Sequence, residues 1–133
     1  MPCIFIRNWS KRSDWLNRDA TLTLFEKLAA AAGVSIDEVE VHLENTEYDL
    51  LLPTGQTYNG HGVHVFVEWH EGRSAETKAA MAVAIHKFLV AHEAGKGSDI
   101  TFRDSPHHTF FYEGKPVEDG VTTRPYSEYL VFR

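Results

Sequence analysis

The sequence predicts an α/β chain of one domain, in which tandem β-α-β repeats build a four-stranded sheet with both helices on one face, a two-layer α+β arrangement. Three observations predict it. The runs Ile4-Phe5-Ile6-Arg7-Asn8-Trp9 and His64-Val65-Phe66-Val67-Glu68-Trp69 share a strand-like composition at an offset of 60 residues. Each is followed by a helical pattern and then a second strand, with Val39-Glu40-Val41 matching Ile100-Thr101-Phe102 at an offset of 61. The chain has 133 residues, 43% of them apolar. At that size roughly 65–70% of the unfolded surface is buried on folding, so one core suffices without disulfides or structural metal.

In chain order, Cys3 to Trp9 is rich in β-branched and aromatic residues, and its apolar run predicts a strand buried on both faces. Asp19 to Ala32 carries Leu22, Phe25, Leu28, Ala29 and Ala32 at helical spacing, with Gly33 where a left-handed cap belongs. Ser35 to Glu38 has capping-box spacing for a short helical turn, and Val39 to Leu43 alternates as a strand. Tyr48 to Gly60 reads as a hairpin or loop turning at Pro53-Thr54-Gly55. Val63 to Trp69 repeats the first strand. A second helix follows up to Ala94, with Ser74 as N-cap, Glu76 in its first turn, and Met81, Ala84, Ile85, Phe88 and Leu89 on one face. Ile100 to Arg103 is the fourth strand, and Phe110 to Tyr112 and Tyr126 to Phe132 are short candidates in the tail. Repeat one thus covers residues 2–44, an insertion 45–61, repeat two 62–105 and a tail 106–133. Apolar residues on both sides of the strands leave one sheet face to be covered, most simply by other copies of the chain.

Composition excludes several classes. The formal charge is −6, with Lys and Arg scattered, so no nucleic-acid partner is expected. No stretch approaches the ~20 apolar residues of a membrane span, and the first residues lack a basic leader segment. The lone Cys3 has no internal partner for a disulfide and suggests a reduced, cytoplasmic protein. No Gly-rich phosphate loop, nucleophile elbow or metal motif is present, so no cofactor is expected.

Chemistry points first to Pro2. Met followed by a small residue is usually trimmed, which would leave Pro2 with a secondary amine. At the start of a buried strand, desolvation and nearby arginines disfavour the ammonium form, and each unit of lowering reflects about 1.4 kcal/mol. A neutral base at physiological pH follows.

The Met1-Pro2 start into a strand, the two βαβ halves and the stretch Glu71-Gly72-Arg73-Ser74-Ala75-Glu76-Thr77-Lys78 together resemble the tautomerase superfamily. That group includes 4-oxalocrotonate tautomerase and macrophage migration inhibitory factor. Phe110-Phe111-Tyr112-Glu113-Gly114-Lys115-Pro116 resembles an uncharacterised two-repeat branch of it. The resemblance implies a tautomerase/MIF-like protomer in a homotrimer, with Pro2 as catalytic base or acid and Arg73 binding a substrate carboxylate or carbonyl oxygen; a guanidinium suits that task through its planar fork of donors. It also implies one base per chain, since Val63 stands in the second half where Pro2 stands in the first. Arg12 is the pseudo-repeat partner of Arg73, either a substrate contact or a surface charge. Where small tautomerases carry a second arginine, this chain has Ile100 or Thr101, with Arg103 two or three positions on. Phe111, or Phe110, falls near the family's pocket aromatic, and Glu113 is either a water-activating carboxylate or a turn residue.

Histidine supports a different class weakly. His61 with His64, His107 with His108, and His42 are the candidate ligands for zinc or nickel. Adjacent His107 and His108 point opposite ways in an extended segment, and His86 and His92 do not share a helical face. No metal is expected. The sequence therefore predicts a cofactor-independent tautomerase-type enzyme acting on a small acidic 2-keto acid or enol, and its alternative is a non-catalytic trimeric binding or structural homologue.

Overall fold

A computed structural model describes residues 2–9, 16–45, 50–58 and 62–117. Strand β1 (Cys3–Arg7) runs parallel to β2 (Glu40–Glu44) on one side. On the other side it runs antiparallel to a long strand, His64–His70. Between these in sequence come β3 (Leu50–Leu51) and β4 (Thr57–Tyr58), so the long strand is β5. It pairs in parallel with β6 (Asp99–Ser105), giving the order β2-β1-β5-β6. Helix α1 (Arg18–Ala32) links β1 to β2, and α2 (Ala75–Ala91) links β5 to β6.

Alternation sets the sheet's two faces. Ile4, Ile6, Val65, Val67 and Trp69 are buried against the helices, as the period of two requires. From α2, Met81, Ala84, Ile85, Phe88 and Leu89 meet them, the same stripe that the spacing predicts. On α1 the stripe is rotated: Leu24, Leu28 and Ala29 are buried, whereas Leu22 is 52% exposed. With Leu22, Leu24 and Phe25 within four positions, periodicity alone leaves two overlapping faces, and packing against the sheet selects the Leu24–Leu28 pair. Both helices are capped locally. Asn17 accepts the Ala20 N–H at 2.9 Å, Ser74 accepts the Thr77 N–H at 3.1 Å, and Gly33 ends α1 at φ 69°. Ser35 accepts the Asp37 N–H and starts a 3₁₀ turn over Ile36–Glu38.

The opposite sheet face is left open by the single chain, as the sequence predicts, and carries charge as well as apolar residues. β1 alternates in burial within one chain: Ile4 and Ile6 are buried, while Cys3 and Phe5 on the other side are half-buried and Arg7 is exposed. On this face Arg7 pairs with Glu44 at 3.0 Å, Arg103 with Glu68 at 3.1 Å, and His64 with Asp99 at 2.6 Å. Phe66 lies among them, with the Arg103 and Arg7 guanidinium carbons 4.0 and 4.9 Å from its ring centroid. Phe5 stacks on His42 at 4.8 Å. The aromatic residues of this face look like core in sequence because their charged neighbours arrive from β2 and β6, far along the chain.

Strand pairing also refines the repeat. Ile4 beside Val41 has the relation of Val65 beside Ile100, so the equivalent positions lie 61 and 59 residues apart instead of 60 and 61. Trp9 and Trp69 still both point inward because Asn8, at φ 65°, reverses the alternation just after β1. Each βαβ half is followed by a small hairpin. β3 and β4 pair across the turn at Pro53–Gly55, and β7 (Phe111–Tyr112) pairs with β8 (Lys115–Pro116) after the second half. The segment at 45–61 therefore contains the counterpart of the tail hairpin. The Tyr126 to Phe132 candidate lies outside the described residues.

Candidate functional site

Because β1 starts between β2 and β5, the chain segments leading into β2 and out of β5 extend past it on either side. Val34 to Glu38 form one flank and Glu71 to Arg73 the other. Between them opens a cleft of about 420 Å³, lined by residues 32–35, Glu38 and residues 71–73. Its position follows from the pairing. Cys3 is in register with Glu40 and Glu68, so the preceding residue, Pro2, stands between Val39 and Trp69. The Pro2 carbonyl accepts the Glu40 N–H at 3.1 Å, and its ring is fully buried on the helix side with Ile4 and Ile6. Pro2 does not itself line the cleft.

Arg73 does line it. The residue sits just before the Ser74 cap, donates from Nη1 to the His70 carbonyl at 3.0 Å, and holds its guanidinium 5.1 Å from the Trp69 ring centroid. Trp69 is fixed from its other side, because its Nε1–H donates to Asp104 Oδ1 at 2.8 Å and its ring stacks on Phe102. Asp104 also accepts from Lys78 Nζ at 2.6 Å. The Lys78 hydrogen bond chiefly holds the Asp104 carboxyl below the usual carboxylate range; partial burial opposes it, while the Trp69 N–H and the charges of Lys78 and Arg73 lower it further. By register, one row runs Val39, Pro2, Trp69, Asp104 across the sheet, and Arg73 rests on its Trp69.

The other sequence-derived candidates lie elsewhere. Arg103 is on the charged face, opposite the side that buries Trp69. Phe111 is 55% exposed on β7, whereas Phe110 turns inward, edge-on to His70 at 6.2 Å. Glu113 occupies the turn of that hairpin at φ 51°. Arg12 and His61 lie outside the described residues. His42 is taken up by Phe5 and Glu40, and His64 by Asp99. His107 and His108 have ring centroids 6.4 Å apart. Among the described residues no group of three or more His, Cys, Asp or Glu side chains converges as a metal site would require.

Sequence reasoning missed Ser35, Glu38 and Glu71 as cleft residues, and Trp69, Asp104 and Lys78 as the support of Arg73. Glu71 was within reach, since it opens the same Glu-Gly-Arg-Ser motif. Glu38 carries no local signal, because only the parallel pairing of β1 and β2 brings it opposite that motif. Chemically, the cleft combines one guanidinium with two carboxylates and opens where β1 begins.

No protein-family model matches the chain, and no curated protein matches it in sequence. Solved structures do match in shape. A domain of unknown function from Sebaldella termitidis superposes with a TM-score of 0.67 at 20% identity, over 88% of this chain and all of that one. Macrophage migration inhibitory factor from Toxoplasma gondii gives 0.61 at 14% identity, over 87% of this chain and 98% of its own. The asymmetric trimer of a fused 4-OT gives 0.60 at 14% identity, over 86% and 94%. The paired βαβ halves and these superpositions agree: the chain has an α+β fold of the tautomerase/MIF-like kind.

Proposed function

We propose that the chain is a cofactor-independent enzyme that moves a proton on a small 2-keto acid or its enol. After removal of Met1, the Pro2 nitrogen is the general base and acid, and Arg73 holds the carboxylate or the developing enolate oxygen. The observation that carries this reading is the position of Pro2 at the start of β1 between the two segments that wall the cleft, with Arg73 on one of them and held over Trp69, the residue next in register to Pro2. The buried ring of Pro2 keeps its nitrogen in a poorly solvated place, which favours the neutral amine. A guanidinium held against an indole stabilises negative charge without reorganising during the reaction.

The reading includes a cytoplasmic homotrimer, as in the trimeric fused 4-OT to which the fold is similar. Arg103 and Phe111, the further substrate contacts of this reading, stand on surfaces away from their own chain's cleft, so they reach substrate only at a neighbouring copy's site. The alternative, a non-catalytic trimeric binding protein, has one observation in its favour: the Pro2 ring is fully buried.

Four measurements decide. Intact mass is expected to lack Met1; a retained Met1 leaves an amide nitrogen and ends the mechanism. Titration of the Pro2 nitrogen by NMR is expected to show a pKa below that of an exposed prolyl amine. Pro2→Ala is expected to slow enolisation of a 2-keto acid by about 100-fold or more, in line with the loss of a positioned general base; an unchanged rate rejects the assignment. Light scattering that gives a single-chain mass rejects the trimer.

A further inference from the structure

The cleft has an electrical asymmetry that its single arginine conceals. One wall is the carboxyl end of α1: Ala32 and Gly33 lie at the negative pole of a 15-residue helix with no basic residue in its last turn. The N–H groups that close this end, those of Gly33 and Val34, are engaged with the carbonyls of Ala30 and Ala29. Glu38 stands on the same wall, one 3₁₀ turn further on. Facing them are Glu71 and Arg73, the latter just ahead of α2. Among the described residues the lining side chains therefore carry two negative charges and one positive charge, and neither Glu38 nor Glu71 has an ion-pair partner. A ligand whose carboxylate lies at Arg73 extends its far end toward Glu38 and the α1 terminus.

The geometry points to a site selective for one carboxylate: it takes 2-keto acids whose far end is cationic or a neutral hydrogen-bond donor, and it rejects dicarboxylates, with Glu38 and Glu71 as the specificity-determining residues. This rests on the reading of the cleft as the substrate site. A second carboxylate entering the slot meets two like charges and a helix carboxyl terminus within a few ångströms, well inside the Debye length at physiological salt. An amide or ammonium at the same place gains a partner instead.

The matched pair 2-oxoglutarate and its isosteric 5-amide differ in that one charge. Loss of their C3 protons to D₂O, followed by proton NMR, reports enolisation without a coupled enzyme. The expected result is a kcat/KM at least about tenfold higher for the amide. The double variant Glu38→Gln, Glu71→Gln is expected to narrow that ratio by raising the value for 2-oxoglutarate. A wild-type ratio near one, a preference for 2-oxoglutarate, or a ratio that the double variant leaves unmoved overturns the assignment. If neither compound exchanges, the proton-transfer reading fails, and selectivity is then read from binding: chemical-shift titration of the Gly72 and Arg73 amides is expected to show tighter binding of the amide, and equal or weaker binding overturns the proposal.

Discussion

Trp69 and Asp104 are joined across β5 and β6 by an indole N–H donated to a carboxylate at 2.8 Å, and the same indole is the surface against which Arg73 rests. A buried strand residue thus links the sheet edge to the cleft. Its support is electrostatic, because Asp104 is in turn held by Lys78.

That link gives a pH dependence of definite sign. The folded-state pKa of Asp104 lies below its ordinary value of 3.8, mainly through the Lys78 hydrogen bond. Its contribution to stability is therefore complete above that value and is lost as the pH falls through the lowered one. Both side chains are about one-third exposed, so the effect is modest. Thermal melts of the wild type and Asp104→Asn are expected to differ at pH 7 and to converge below about pH 4. A gap that stays constant into acid contradicts the assignment.

Gly62 makes a close backbone crossing before β5. A Cβ at this position would lie 2.5 Å from the Gly97 carbonyl carbon and the Lys96 oxygen, both main-chain atoms with little room to yield. Gly62→Ala is expected to lower stability by about 1–3 kcal/mol in urea denaturation, as overpacking does. An unchanged midpoint shows that the crossing relaxes freely.

His92 ties the two helices together in one tautomer. The Asn17 backbone N–H can only donate, so Nε2 of His92 accepts it at 3.0 Å, and the ring proton sits on Nδ1, which donates to the Phe88 carbonyl at 2.9 Å. His92→Phe keeps a ring beside Trp9 but removes both bonds. We expect a loss of about 2 kcal/mol and faster hydrogen exchange at Asn17, while exchange in β5 follows only the global change.

On the charged sheet face, Phe66 gathers Arg7 and Arg103. Phe66→Leu retains apolar bulk and removes the ring's negative face. A cost of about 0.5–1 kcal/mol is expected for exposed cation–π pairs, measured by denaturant titration against Phe66→Tyr, which keeps the ring. Equal stability of the Leu and Tyr variants assigns the position to packing alone.

Sequence reading succeeded where the physics is local. The α2 stripe, the Ser74 and Gly33 caps and the turn at Pro53–Gly55 each depend on residues within a few positions of one another, and all appear as expected. Leu22 misled because a helix face is chosen by what packs on it. Phe5 and Phe66 misled because pairing with His42 and Arg103 is settled by strand order. The site divides in the same way. Pro2 and Arg73 stand in short motifs, whereas Glu38, Trp69 and Asp104 matter only once β1 is known to lie between β2 and β5.

The antiparallel pairing of β1 and β5 gives the sheet two similar ends, with Pro2 opening one strand and the fully buried Val63 preceding the other. Peptide linkage through Gly62 makes the second position an amide, so in the proposed mechanism the covalent joining of the halves leaves only the Pro2 position to supply a terminal amine. Splitting the chain ahead of residue 63 and placing proline there is thus a direct route to a second terminal amine of the proposed kind, at a position outside the β1–β5 pairing.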